Sequence, residues 1–221
     1  MNQDPVLDAA ENLPGIFTIG HSNHSLDTFL SLLERHAIQV LIDIRSQPFS
    51  RYVTHFNYPE VEDAIERRGI QYRYMGQELG GRPQGDSFYD ADGYVLYSRV
   101  AEAAFFRKGI ARLEEDADMY RVAIMCSEED PTNCHRRLLI GRVLTSDGVQ
   151  FLHIRGDGRL QTEEDVVVPA PASTQPSLWS ETTLDSGKDE QAEWKSIRPV
   201  SPRKAPRSSS DPSSDPASDD F

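Results

Sequence analysis

Cysteine is scarce in this chain, with only two among 221 residues, too few for a disulfide scaffold. No apolar run approaches the roughly 18 residues of a membrane span, and no basic-plus-apolar leader opens the sequence. The expectation is therefore a cytoplasmic protein with no membrane association, in which Cys126 and Cys134 are thiols in a reducing compartment. Basic side chains are also in the minority, 23 against 36 acidic ones, for a net charge of −13. Such a surface repels phosphate backbones and excludes indiscriminate nucleic-acid binding, unless a local basic cleft overrides the average. The phosphate-cradling GxxxxGK[ST] loop, the dinucleotide fingerprint GxGxxG and the metalloprotease helix HExxH are all missing. No cofactor is expected. A metal is the rival explanation for the cysteines, but their spacing is wider than that of zinc knuckles. Adjacent Cys134 and His135 diverge on a helix, so only an unusual set of Cys126, Cys134 and His21 would remain, and the expected metal ligands are none.

What is present is the material of one soluble domain, since 38% of residues are hydrophobic and domains typically run about 100–200 residues. The chain divides into a polar N-terminal arm (1–14), an α/β domain (15–164) and a tail rich in Ser, Pro and Asp (165–221). The tail cannot bury enough apolar surface to offset its ordering entropy, which predicts disorder. It reads either as a solubilising extension or as a docking segment. In the second case Trp179 and Trp194 would anchor a protein partner or fold back onto the domain.

Within the domain, short β-branched runs alternate with helical periodicity. Strands are predicted at 16–20, 40–45, 71–75, 121–126 and 149–154. Between them, Ser25 caps a helix whose apolar stripe is Leu26, Phe29, Leu30 and Leu33. A second helix covers 59–69, with Pro59 near its start and Gly69 as its stop. A long helix, or two meeting near Gly109, covers 94–116, and the last spans 133–144. Helical crossovers make neighbouring strands parallel, so the predicted fold is a mostly parallel, five-stranded, doubly wound, Rossmann-like three-layer α/β sheet. All strand-to-helix loops of such a sheet leave from one edge, where ligands bind.

Those four loops are the polar ones. They are GHSNHS (20–25), RSQPFSRYVTHFN (45–57), GQELGGRPQGDSFYDADG (76–93) and CSEEDPTNCHR (126–136), and together they hold both cysteines and four of the six histidines. In the last loop Cys134, His135 and Arg136 occupy the first turn of a helix, where unsatisfied N–H groups and the helix dipole attract anions and lower a thiol's pKa. Leu139, Ile140, Val143 and Leu144 mark the buried stripe. Arg136 falls near its centre and needs a partner there, which is Asp43, Glu128 or a bound anion. Asp43 and Arg45 share one side of their strand, with Arg45 at the rim and Asp43 deeper, where it orients an arginine. Ser22, Ser46, Ser50 and Arg51 add donors suited to phosphate or carboxylate, and His21 is either an acid/base or a hydrogen-bonded rim histidine. Gly80 and Gly81 permit close backbone approach. His24, His36, His55 and His153 read as structural.

The strings TIGHS (18–22), DIRSQPFSR (43–51), LGG (79–81) and CSEEDPTNCHR (126–136) together resemble the bacterial family called domain of unknown function 488. The resemblance covers about residues 16–155, and its pattern falls on Cys126, Glu128, Cys134, His135 and Arg136. It supports a site there and brings no activity with it. Three functions remain open. The first is an enzyme acting on a phosphate-bearing or other anionic ligand, a nucleotide or a nucleic-acid end. Arg45, Arg51 and Arg136 would hold the anion, and Cys134, His21 and Glu128 would be the catalytic candidates. The second is a thiol redox or sensor domain using Cys126 and Cys134. The third is a non-catalytic ligand-binding or adaptor module.

Overall fold

The computed structural model describes residues 15–166 and 193–200; the N-terminal arm and most of the Ser/Pro/Asp tail, with Trp179, lie outside the described residues. Strand β1 (Gly15–Gly20) leads through α1 (Leu26–Arg35) to β2 (Val40–Asp43), and α2 (Glu60–Glu66) leads to β3 (Gln71–Tyr74). Helices α3 (Tyr97–Glu102) and α4 (Ala104–Met119) precede β4 (Val122–Cys126). A π-helical turn (Arg136–Gly141) continues as α5 (Arg142–Ser146) and ends in β5 (Gln150–Ile154). A last strand, β6 (Leu160–Thr162), follows. The strands form one sheet in the order β3-β2-β4-β1-β5-β6, parallel throughout β3 to β5. None of the described helices is long and apolar enough to cross a membrane.

Alternation along each strand sends side chains to two separate cores. Val40, Ile42, Val122, Ile124 and Cys126 face α3, α4 and the 136–144 helical segment. Phe17, Ile19, Leu41, Ala123 and Met125 face α1 and α2. Each fully buried Phe, Ile or Leu contributes on the order of 1.5–3 kcal/mol, so helices on both faces are what hold the sheet flat-buried. Helix α1 starts as its sequence dictates, with the Ser25 hydroxyl accepting from the Thr28 amide at 3.2 Å.

Three expectations need correction. The sheet has six strands, because β6 (Leu160–Thr162) pairs antiparallel with β5; three residues are too few to show periodicity. The long helix breaks at Ala103, whose ψ of 138° is extended, and not at Gly109. Gly109 sits inside α4 because a Cβ there would meet the Leu79 side chain at 2.8 Å. Third, residues 193–200, which composition assigns to the disordered tail, pack on the domain, in the fold-back arrangement that was the alternative for Trp194. The Trp194 indole donates to the Leu138 carbonyl at 2.9 Å and lies under the Arg142 guanidinium at 4.5 Å. Ser196 and Val95 exchange two hydrogen bonds, and the Val200 amide donates to the Gly93 carbonyl.

Candidate functional site

Parallel register brings the loop roots together. Gly20 of β1 sits beside Cys126 of β4, and the pairing runs past the strand ends, with the His21 amide on the Cys126 carbonyl and the Ser22 amide on the Ser127 carbonyl, both at 3.0 Å. Gly20 has no alternative here, since a Cβ would collide with the Glu128 carbonyl. Ser22 takes the left-handed conformation, φ 46°, which is costly for a residue with a Cβ. Above these roots opens a cleft of about 680 Å³, lined by His21, Ser22, Arg45, Ser46, Ser50, Gly81, Cys126, Glu128, Cys134 and His135 among others. Phe49 and Tyr52 stand exposed at its rim. Gly80 and Gly81 are required by close approach: Cβ atoms there would lie 2.5 Å from the Ser46 hydroxyl and 2.9 Å from the His135 ring.

The floor of the cleft is a pair of thiols. Cys126 and Cys134 are both buried and unbridged, with their sulfurs 3.1 Å apart. Nη1 of Arg136 lies 2.8 Å from the Cys126 sulfur. Arg136 is wholly buried; it also donates to the Glu128 carbonyl and, at 2.6 Å, to that of Glu129. It forms no ion pair among the described residues. The Glu129 carboxylate turns away to Arg155, 2.8 Å from Nη2. Burial pushes the Cys126 thiol up, but the hydrogen bond from Cys134 and the charge of Arg136 outweigh it and bring Cys126 down to about 7. Cys134 goes the other way: burial raises it, and so does its neighbour once that neighbour is an anion.

Cys134 stands just before a π-helical turn that begins at Arg136, and the Arg136 guanidinium reaches the Cys126 sulfur. Arg136 pairs with neither Asp43 nor the Glu128 carboxylate, and its guanidinium is engaged by two carbonyls and a thiol.

On β2 the arrangement differs. Asp43 accepts from Nε and Nη2 of Arg45, from the Arg45 amide and from the Tyr72 hydroxyl, at 2.6–3.0 Å. The remaining Arg45 nitrogen, Nη1, donates to Nε2 of His21 at 3.2 Å, while His21 Nδ1 donates to the Ser22 carbonyl. Burial, followed by the charge of Arg45, lowers His21 to about 4. His21 is thus a neutral imidazole with its lone pair occupied, stacked on Phe56 at 4.5 Å. His135 is held near 4 by burial and by Arg136. Arg51 is exposed and lies outside the cleft lining, because the 46–58 loop is pinned by Asn57, whose side chain bonds the backbone of Ser50 twice.

Ser46, expected as a donor to a ligand, instead accepts from the Arg82 amide at 2.9 Å. Three further cleft residues were not singled out from the sequence. Arg82 and Arg198 line the cleft exposed. Tyr97 lies beside Cys134 and Glu128, and burial raises its hydroxyl further above neutrality. Arg82 was visible within GGRPQG; Arg198 and Tyr97 carried no local signal. Elsewhere, His36, His55 and His153 hydrogen-bond within the fold. No three His, Cys, Asp or Glu side chains are grouped for a metal among the described residues.

Fold and site together define a mostly parallel α/β protein with a buried dithiol at the sheet's C-terminal edge. Residues 25–143 match the family described as Domain of unknown function DUF488, and the chain belongs to that family. The match spans the dithiol loop and leaves β1 and His21 outside it. Neither a curated protein nor a solved structure matches the chain.

Proposed function

We propose that this protein performs thiol chemistry, with Cys126 as the nucleophile and Cys134 as its resolving partner in a reversible dithiol–disulfide site. The observation that carries the reading is the 3.1 Å contact between two free sulfurs, one of them also 2.8 Å from a buried guanidinium. A thiol near 7 is about half ionised at neutral pH, while Cys134 keeps its proton until it is needed. With a peroxide as oxidant, the Cys126 thiolate attacks one oxygen, forming the sulfenic acid and releasing hydroxide or alkoxide. Cys134 then attacks that sulfur and loses its proton, and water leaves as the disulfide forms. With a disulfide substrate the same thiolate attacks sulfur and expels a thiolate. Joining the two sulfurs needs a shift of about 1 Å.

Acid/base work by His21 does not fit this geometry, because Arg45 occupies its lone pair. Tyr97, neutral and beside Cys134, is the better-placed hydroxyl donor. The anionic ligand expected from the sequence enters as the substrate's recognition group, and a reducing cytoplasm is the setting in which such a pair rests as a dithiol.

The test is simple to read because cleavage after Arg121 and Arg136 leaves both cysteines on one tryptic peptide, 122–136. Mild peroxide followed by mass spectrometry is expected to show that peptide lighter by two hydrogens and restored by a thiol reductant. In C134S, Cys126 is expected to stop at the sulfenic acid. A peptide that stays reduced while exposed methionines oxidise would overturn the reading.

A further inference from the structure

The cleft is cationic inside an acidic chain. The protein carries a net charge of −13, yet the cleft is lined by three arginines, Arg45, Arg82 and Arg198, against one carboxylate, Glu128. Asp43 neutralises Arg45. Neither Arg82 nor Arg198 forms an ion pair among the described residues, and both are exposed residues of the cleft lining. Both are also held on fixed backbone. Arg82 follows the Gly80–Gly81 approach, with its amide on Ser46. Arg198 is fastened from both sides, by Trp194 and Ser196 before it and by Val200 after it. Its own carbonyl accepts from the Ser196 hydroxyl at 2.8 Å.

We infer that Arg82 and Arg198 form an anion-selecting clamp over Cys126, and that segment 193–200 is a part of the site rather than an appendage to it. The inference deepens the thiol reading and rests on it, since the clamp is argued to deliver a substrate to that thiolate. The substrate class is a small electrophile, a peroxide or disulfide, that carries a carboxylate, sulfonate or phosphate. Guanidinium groups recognise such planar or tetrahedral anions with paired N–H donors. A cleft of about 680 Å³ has the capacity of a small-molecule site and not of a macromolecular groove. The uncompensated charge also offsets the repulsion that an acidic surface exerts on an approaching anion.

Iodoacetate and iodoacetamide test this, being alike in size and leaving group and differing in charge. In each case the Cys126 thiolate attacks the methylene carbon, a C–S bond forms and iodide leaves with its electron pair. The readout is the ratio of the two rate constants at Cys126, divided by the same ratio for 2-mercaptoethanol; iodoacetamide as denominator removes any change in thiolate content. Wild type is expected to favour the anion by about tenfold over the reference at low ionic strength, declining with salt. R82Q/R198Q is expected to bring the ratio near the reference, and W194A to lower it as R198Q does. Equal ratios in wild type and R82Q/R198Q would overturn the clamp while leaving the thiol reading in place. If Cys126 takes neither reagent, the thiol reading fails, and thermal melting with inorganic pyrophosphate at fixed ionic strength decides the clamp alone. A melting-temperature rise that R82Q/R198Q loses supports it; no rise in wild type overturns it.

Discussion

Arg45 and Arg136 are both buried at the same edge of the sheet, one after β2 and one after β4, yet they are neutralised in opposite ways. Arg45 faces Asp43, a carboxylate that also accepts from Tyr72, and Nη1 is the nitrogen left to His21. Arg136 faces two carbonyls and a thiol, with no carboxylate bonded to it. A buried cation without an anion favours ionisation of whatever acid lies against it, and here that acid is Cys126. The first arginine is closed off by its own carboxylate, and the second presents its charge to a thiol.

Substitutions at the two sites should separate these roles. The largest loss is expected from Asp43→Leu, which leaves Arg45 buried without a counter-ion and should cost about 3–5 kcal/mol in denaturant melts. The double variant D43L/R45M should recover much of that loss, since it removes both charges. Cys126 alkylation should be little altered in either. Arg136→Met should cost less, about 1–3 kcal/mol from two carbonyls left without their donor. It should nevertheless slow Cys126 alkylation at pH 7 by roughly 10- to 50-fold as the thiol returns toward its ordinary range. An R136M protein that alkylates as fast as wild type would erase the distinction between the two arginines.

The same comparison has a pH signature. His21 and His135 are both held at about 4 against an ordinary value of 6.5. The unfolded chain therefore binds more protons between those values, and stability should fall as pH drops from 6.5 through 4. Cys126, lowered from 9.0 to about 7, stabilises the fold fully above 9 and loses that contribution as pH falls through 7. Thermal melts across pH 4–9 should thus rise in two stages, and R136M should lack the upper one. The smallest effect is expected at Trp194→Ala, which loses one hydrogen bond and the Arg142 contact, about 1–2 kcal/mol in chemical denaturation.

Much of this layout was legible in the residues. Period-two and period-3.6 patterns located five strands and the main helices, and the βα order then put the loops of Ser22, Arg45, Gly81 and Cys126 on one edge. What pattern could not reach was anything decided by contact between distant loops. Which thiol meets the charge depends on where Arg136 points; sequence spacing placed Cys134 at the helix start, while the guanidinium reaches across to Cys126. Arg51 suits an anion by residue type, yet it lies outside the cleft lining, on a loop where Asn57 pins Ser50. Arg198 sits in a composition that argues for disorder, and the bonds of Trp194, Ser196 and Val200 to the domain reverse that locally. Leu160–Thr162 is too short for any periodic signal.

Cys126, held between the Cys134 S–H and Arg136, is proposed as the reactive thiolate of the pair. The pH dependence of iodoacetamide alkylation on the full chain, with peptide 122–136 sequenced by mass spectrometry at each pH, tests this. The rate is expected to titrate with an apparent pKa of about 7, with the label on Cys126 and Cys134 unmodified. A profile that rises only toward 9, or a label that falls first on Cys134, would contradict it.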